Sequence, residues 1–247
     1  MSLSILSRSV HRRLIATWAV VAVASASAAQ TPPPGSETAP VSNRVNQSLP
    51  SWLRLRGEFR ERVERFDNVG YAAGRDTTFF LSRVRLQASV TPAKALAFVV
   101  QAQDARVANK AVGPTSAPFR DPMDLRMAYV DVGSAMARVA VRVGRQELVY
   151  GDQRLLGHVS WLNGARTFDA AKVMVRGKNV SCDVFMASVV TLNDLAFNTS
   201  DFGASRITGA YATAGKLVPR ASVEPYLYYR YGRAQRSEAG PLGDLQQ

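Results

Sequence analysis

Six charged residues fall within one stretch, Gly144 to Ala170: Arg145, Glu147, Asp152, Arg154, Arg166 and Asp169. Their types suit one kind of chemistry. A guanidinium is a rigid fork of donors that grips planar carboxylates in bidentate fashion. Interspersed carboxylates hold such forks in place and keep an anion's binding weak enough for release. Other routes to chemistry have little to work with. His11 and His158 are the two histidines, and chemistry that needs a histidine pair is excluded once His11 leaves with the N-terminal signal described below. Cys182 stands alone, which allows neither an internal disulfide nor a cysteine-histidine zinc site. No nucleotide-binding loop is visible either, so no cofactor is expected.

These charges must be positioned by strands. A run with Val139, Val141 and Val143 leads into the stretch, and another, Phe168 to Val175, leads out. From Leu53 to Glu64 the chain alternates with period two, the mark of a strand with two different faces. Leu53, Leu55, Gly57, Phe59 and Val63 fall on one face, interrupted by Glu61; Arg54, Arg56, Glu58, Arg60, Arg62 and Glu64 fall on the other. Phe80 to Thr91 repeats the device, with Val84, Leu86, Ala88 and Val90 against Arg83, Arg85, Gln87 and Ser89. Leu96 to Arg106 sets Phe98, Val100 and Ala102 against Gln101 and Gln103. Further runs are expected at Leu125–Val132, Arg138–Val149, Ala165–Val175, Val180–Val190, Arg206–Leu217 and Ser222–Arg233. The expected fold class is all-β, an antiparallel up-and-down transmembrane β-barrel with about nine strands present. A soluble sandwich also alternates, but its polar face is seldom so uniformly ionic. A membrane barrel puts the apolar face on lipid and the charged face in the lumen.

The connections support the barrel. Tight links with Gly or Pro turn chemistry are expected at Thr91–Lys94, Gly133–Met136, Arg176–Asn179 and Val218–Ala221. Long links alternate with them, at Asp67–Thr77, Val107–Pro122, Tyr150–Gly164 and Thr191–Ser205. Outer-membrane barrels keep this order, with short turns in the periplasm and long loops outside. Trp52, Phe66, Tyr71, Phe79, Tyr150, Trp161 and Phe168 lie near strand ends, where an interfacial girdle is expected. Bacterial single-chain barrels have even strand numbers, and the remainder, Ala234 to Gln247, reads as the opening of another external loop. The chain is therefore expected to be an N-terminal part of a larger barrel; association of two copies or a smaller eight-stranded barrel are the alternatives.

The start reads as a secretion signal, residues 1–29. Arg8, Arg12 and Arg13 precede a short apolar core, Leu14 to Ala24, and small residues follow. Residues 30–50 are rich in Pro, Ser and Thr and read as a disordered polar linker, leaving 51–247 for the barrel domain. The net charge is +12 at pH 7, and removing the three signal arginines leaves about +9. An exported basic protein points to an anionic partner, a polysaccharide or smaller solute, besides outer-membrane lipid and periplasmic export partners. Nucleic acid is not expected, because the charges alternate with apolar residues instead of clustering on a helix or among stacking aromatics.

The stretch carries G-R-Q at 144–146, G-D-Q-R-L at 151–155, W-L-N at 161–163 and R-T-F-D at 166–169. In these motifs the chain resembles the alginate-export family of bacterial outer-membrane β-barrels, over roughly Ser51 to Tyr231. The resemblance implies an outer-membrane porin that passes an anionic, alginate-like polysaccharide or small anions through an arginine-lined lumen. It implies Arg85, Arg145 and Arg166 as constriction arginines, with Glu147 and Asp169 among the acids that hold them. Arg56 and Arg60 join them by parity. Counting by two from Arg142 points Arg145 outward, so its place in the lumen requires a bulge at Gly144. The rival readings are a non-conducting structural or adhesive barrel, a barrel hydrolase using His158 and Ser160, and a soluble basic sandwich that binds polysaccharide.

Overall fold

The computed structural model describes residues 41–134, 137–218, 221–236 and 242–246. The expected signal and the first half of the expected linker lie outside the described residues. Within that linker, Val41–Ser48 forms a short helix, α1, where no structure is expected from composition. Its Asn46 explains the position. The Asn46 amide donates to Leu55 O and its carbonyl accepts the Leu55 N–H, both at 2.8 Å. Those backbone groups lie on an edge strand and would otherwise be unpaired.

Eleven strands make one antiparallel sheet: β1 (Leu53–Phe66), β2 (Thr77–Ala93), β3 (Leu96–Ala108), β4 (Asp121–Val132), β5 (Val139–Gln146), β6 (Phe168–Arg176), β7 (Val180–Val189), β8 (Ser205–Val218), β9 (Ala221–Val223), β10 (Tyr226–Arg236) and β11 (Leu242–Gln246). The order is sequential, β1 to β8, then β10 and β11, with β9 a short extension against β8. The up-and-down antiparallel architecture expected from period-two patterning is the observed one. Among the described residues β1 does not pair with β11, so the sheet is an open barrel-like wall. The expected ninth strand is β9 and β10 together. The tail differs from the expectation of an open loop, because Leu242–Gln246 turns back and pairs with β10, opposing Gln246 to Tyr231. The free edge of β10 offers a ladder of backbone groups that an extended segment satisfies.

Short and long connections alternate strictly along β1 to β8. Residues 94–95, 133–138 and 177–179 join one end of the sheet, and 67–76, 109–120, 147–167 and 190–204 join the other.

Directly opposed residues of antiparallel strands share a face, so the register assigns every side chain. On one face Leu86 opposes Gly57 and Ala102, Val84 opposes Phe59, and Val90 opposes Leu53 and Phe98. The apolar row continues through Val130, Val143, Ala171, Met186 and Val184 to Leu227 on β10. These side chains are exposed or half-buried; Phe59 is 71%, Leu86 64% and Leu227 75% accessible. An apolar band across the sheet, broken at Asp104 opposite Val84, is far larger than soluble monomers expose. The band has a polar upper border near the long loops, where Glu61, Ser82 and Arg106 align on β1 to β3, and Arg145, Asp169 and Ser188 on β5 to β7. From Val90 to Ser82 the strand measures about 27 Å, which a tilt of ~40° lowers to about 21 Å of height, near the ~25 Å apolar band of outer-membrane barrels.

The expected aromatic girdle does not form at three of its positions. Phe79 and Phe168 are fully buried and Tyr150 is 9% exposed, all on the opposite, charged face. Parity decides this: Phe79 opposes Glu64, and it packs edge-on to Phe66 and Phe119 at 4.9 and 5.7 Å.

Candidate functional site

The face opposite the apolar band carries the charges. Arg85 opposes Glu58, Arg83 opposes Arg60, and Gln87 opposes Arg56, while β3 places Gln103 beside Arg85 and Gln101 beside Gln87. The arginines are largely buried, Arg83 and Arg126 at 4% and Arg85 at 6% exposure. Buried guanidinia need partners, since an unpaired charge away from water is costly. Arg83 donates through Nε to Glu58 at 2.9 Å and its Nη2 is closer still. Arg85 Nε donates to Gln103 Oε1 at 2.7 Å, and its Nη1 lies 3.4 Å from Glu58. Gln103 passes the chain on, donating to Asp121 at 2.7 Å, which also accepts from Asn198 at 2.8 Å. Arg126 donates to Gln101 at 2.7 Å and pairs with Glu147. One buried nitrogen of Arg85, Nη2, has no partner.

The long loop between β5 and β6, residues 147–167, lies across this face. Apolar residues seat its first half. Leu148, Tyr150 and Leu156 pack with Phe168, Phe185 and Ala187, on the charged face of β6 and β7. Tyr150 OH donates to Asp183 at 3.2 Å. Burial first, and then this carboxylate, hold the Tyr150 phenol well above its ordinary pKa, so it remains a neutral donor. The second half is strapped to β1, β2 and β3 by its own carbonyls. Arg60 Nη1 and Arg83 Nη1 both donate to Ser160 O at 3.1 Å, and Arg83 also reaches Leu162 O at 3.1 Å. Arg62 donates to Trp161 O at 2.7 Å and lies 4.0 Å over the Trp161 ring. Gln103 adds a bond to Gly164 O at 3.0 Å. Asn163, 2% exposed, sits at the centre, its amide nitrogen 3.0 Å from the carbonyls of Ser82, Arg106 and Phe119. Asp152 and Arg154, at the loop's tip, are solvated and 3.6 Å apart.

The structure brings Arg56, Arg60 and Arg85 to the charged face by strand parity, and Glu147, the first loop residue after β5, reaches it by pairing with Arg126. Arg166 is an exposed loop residue whose N–H donates to His158 O at 2.7 Å. Arg56 and Arg166 are both exposed, and among the described residues neither guanidinium has a hydrogen bond or ion pair.

Arg145 and Asp169 are corrections. The register runs without a shift from Val141 through Gly144 to Arg145, so the required bulge is missing and Arg145 shares its face with Val143 and Ala128. Gln146 faces the other way and is fully buried, donating to Ala170 O at 3.1 Å. Arg145 grips Asp169 in bidentate fashion at 2.9 and 3.1 Å. Asn198 O accepts a further bond from Arg145 at 3.0 Å, and Ser200 donates to Asp169 at 2.7 Å. A charge on the apolar face is tolerated there because it lies at the polar border, paired and covered by the 190–204 loop.

Gly144 has its own reason to be glycine. Its φ is +122°, and a Cβ would lie 2.3 Å from Ala128 O. The G-R-Q motif thus brings β5 close against β4 and pins it to β6. It does not line the charged face with Arg145.

Reasoning from the sequence missed Arg83, Arg126, Gln103 and Asn163 as members of the site. Arg83 and Gln103 carried a signal, their alternation with Val84 and Ala102. Asn163 carried one only through the W-L-N motif.

Arranged this way, the face can hold an anion's oxygens at exposed guanidinia while the buried ones keep the loop in place. A family model described as alginate export matches residues 51–245. Among curated proteins, none matches the chain.

Proposed function

The chain belongs to the alginate-export family, a transport family of the bacterial outer membrane, and from that premise we propose that it is an outer-membrane pore for an anionic polysaccharide or smaller anions. One observation carries this reading. A band of exposed apolar side chains covers one face of the sheet, and a guanidinium-rich face with a long loop laid across it covers the other. Such a wall matches lipid outside and surrounds an aqueous route inside. Arg56 and Arg166 are exposed cations open to a passing carboxylate, whereas Arg60 is spent on the loop's carbonyls and Arg83, Arg85 and Arg126 are buried against Glu58, Gln103 and Glu147. The inlaid loop narrows the route, and narrowing within a low-dielectric wall strengthens the discrimination between anions and cations. A pore also requires both sheet edges to be satisfied in the membrane.

The same burial supports a second reading, a non-conducting barrel whose charges form an interior lattice. Planar-bilayer recording separates the two. The pore reading expects an anion-selective current whose selectivity falls in Arg56→Ala and Arg166→Ala; a folded, silent protein establishes the second reading.

A further inference from the structure

The charged face carries a different chemistry beyond the arginine cluster, on β7, β8 and β10. Five rings close a circuit there. Tyr150 stacks on Phe185 at 5.3 Å and on Tyr211 at 4.8 Å. Tyr211 stacks on Tyr226 at 6.3 Å and Tyr226 on Tyr228 at 5.1 Å, and Tyr228 returns to Phe185 at 5.9 Å. Gly209 makes the last contact possible. It stands between Phe185 and Tyr228 in the register, and a Cβ would lie 2.4 Å from the Tyr228 ring.

A lipid-facing girdle does not account for these rings. Tyr211 opposes Asp183 and Tyr226, on the charged face, whereas Leu227 and Tyr229 occupy the apolar one. Two adjoining cavities of about 410 and 240 Å³ share Tyr150, Tyr211, Asp152 and Glu224. The larger is within the ~300–1,000 Å³ of small-molecule sites, and Tyr226 lines the smaller one that adjoins it. Three carboxylates, Asp152, Asp183 and Glu224, stand among their polar groups, beside the donors Arg154 and Arg176. Asp183 is satisfied by Arg176 at 2.6 Å, Lys172 at 3.4 Å and Tyr150. Glu224 accepts from the Tyr211 hydroxyl, and Asp152 is solvated with Arg154 3.6 Å away, which leaves both carboxylates lone pairs to offer. Tyr226, 57% exposed, presents an open ring beside them.

We propose that this cavity is a subsite for a pyranose ring, with the sugar's C–H face stacked on Tyr226 and its hydroxyls donated to Glu224 and Asp152. The subsite rests on the reading of the charged face as a saccharide route, and it adds recognition of the ring itself. Acceptors and an aromatic platform select hydroxyls and ring faces, whereas the arginines select carboxylates. A neutral sugar is therefore bound here as well as a uronate.

The test is calorimetric titration of the full chain in detergent with β-1,4-linked mannohexaose and with its C6-oxidised counterpart, hexameric mannuronate. Both hexamers bind the wild type. Tyr226→Ala weakens each about tenfold, the equivalent of ~1.4 kcal/mol for a lost stacking contact, and Tyr226→Phe stays within about twofold because its ring still stacks. Glu224 lies between strands, so Glu224→Gln carries the test if Tyr226→Ala does not fold; it weakens both hexamers by roughly fivefold through the lost charged acceptor. A wild type that binds only the charged hexamer, or unchanged affinities in both variants, overturns the subsite. Anion current without binding of either hexamer refutes the subsite and spares the pore. Tyr226-dependent binding in a protein that passes no current does the reverse.

Discussion

Asn163→Leu should release the inlaid loop while leaving the sheet intact. The Asn163 amide stands 3.0 Å from three carbonyls, two on β2 and β3 and one, Phe119 O, in the neighbouring loop. Leucine keeps the same branched heavy-atom skeleton and donates nothing. Two N–H groups are lost, each worth about 0.5–1.5 kcal/mol net when its bond is made, so the loop's attachment weakens by roughly 1–3 kcal/mol. At 1.4 kcal/mol per decade, opening of the loop becomes about five- to 150-fold more frequent. Hydrogen exchange reads this directly at two amides. Gly164 N–H donates to Pro118 O at 2.9 Å, a bond to the neighbouring loop that is lost when the loop lifts, and Arg166 N–H closes the seated loop on His158 O at 2.7 Å. Their exchange should accelerate within that range, while amides in β2 and β3 keep their protection. Acceleration below twofold at Gly164 and Arg166, or equal loss of protection in β2, refutes the reasoning that Asn163 is the loop's anchor.

Three other outcomes follow from the same geometry. Gly144→Ala places a Cβ 2.3 Å from Ala128 O at a φ of +122° and should destabilise the sheet by about 1–3 kcal/mol, read from urea titration of the folded form in detergent. Arg145→Ala leaves Asp169 without its bidentate partner, and should cost roughly 2–4 kcal/mol of stability without altering ion selectivity; a selectivity change as large as that of Arg56→Ala would place Arg145 in the route after all. Leu86→Lys puts a charge in the middle of the apolar band and should cost about 2–4 kcal/mol for folding into bilayers, whereas Gln87→Lys on the charged face should fold as the wild type does.

The strands and the rhythm of the loops were legible because period-two alternation and Gly- or Pro-bearing turns are local signals. The division of faces was legible too: Arg83 and Arg85 stand opposite Val84 and Leu86 in sequence and in space. Register was less so. Whether Arg145 turned inward depended on one bulge at Gly144, and the glycine serves a close approach to Ala128 instead. End positions also misled, since Phe79, Tyr150 and Phe168 sit near strand ends yet face the buried side. The path of the 147–167 loop was hidden entirely. Its seating depends on carbonyls of Ser160, Trp161 and Leu162 meeting Arg60, Arg62 and Arg83, 77 to 100 residues earlier, and backbone acceptors carry no sequence signature. The helix at Val41–Ser48 escaped for a related reason, because what holds it is one asparagine on the edge of β1.

The division of faces is tested most directly by cysteine scanning from Arg54 to Leu55, Arg56, Gly57, Glu58 and Phe59 in liposomes, on a Cys182→Ser background. Each cysteine is challenged with a charged, water-borne thiol reagent and with a lipid-soluble one. The account predicts strict alternation, with Arg54→Cys, Arg56→Cys and Glu58→Cys modified from water and Leu55→Cys, Gly57→Cys and Phe59→Cys modified only from the bilayer. Equal reactivity along the strand, or the opposite alternation, would contradict it.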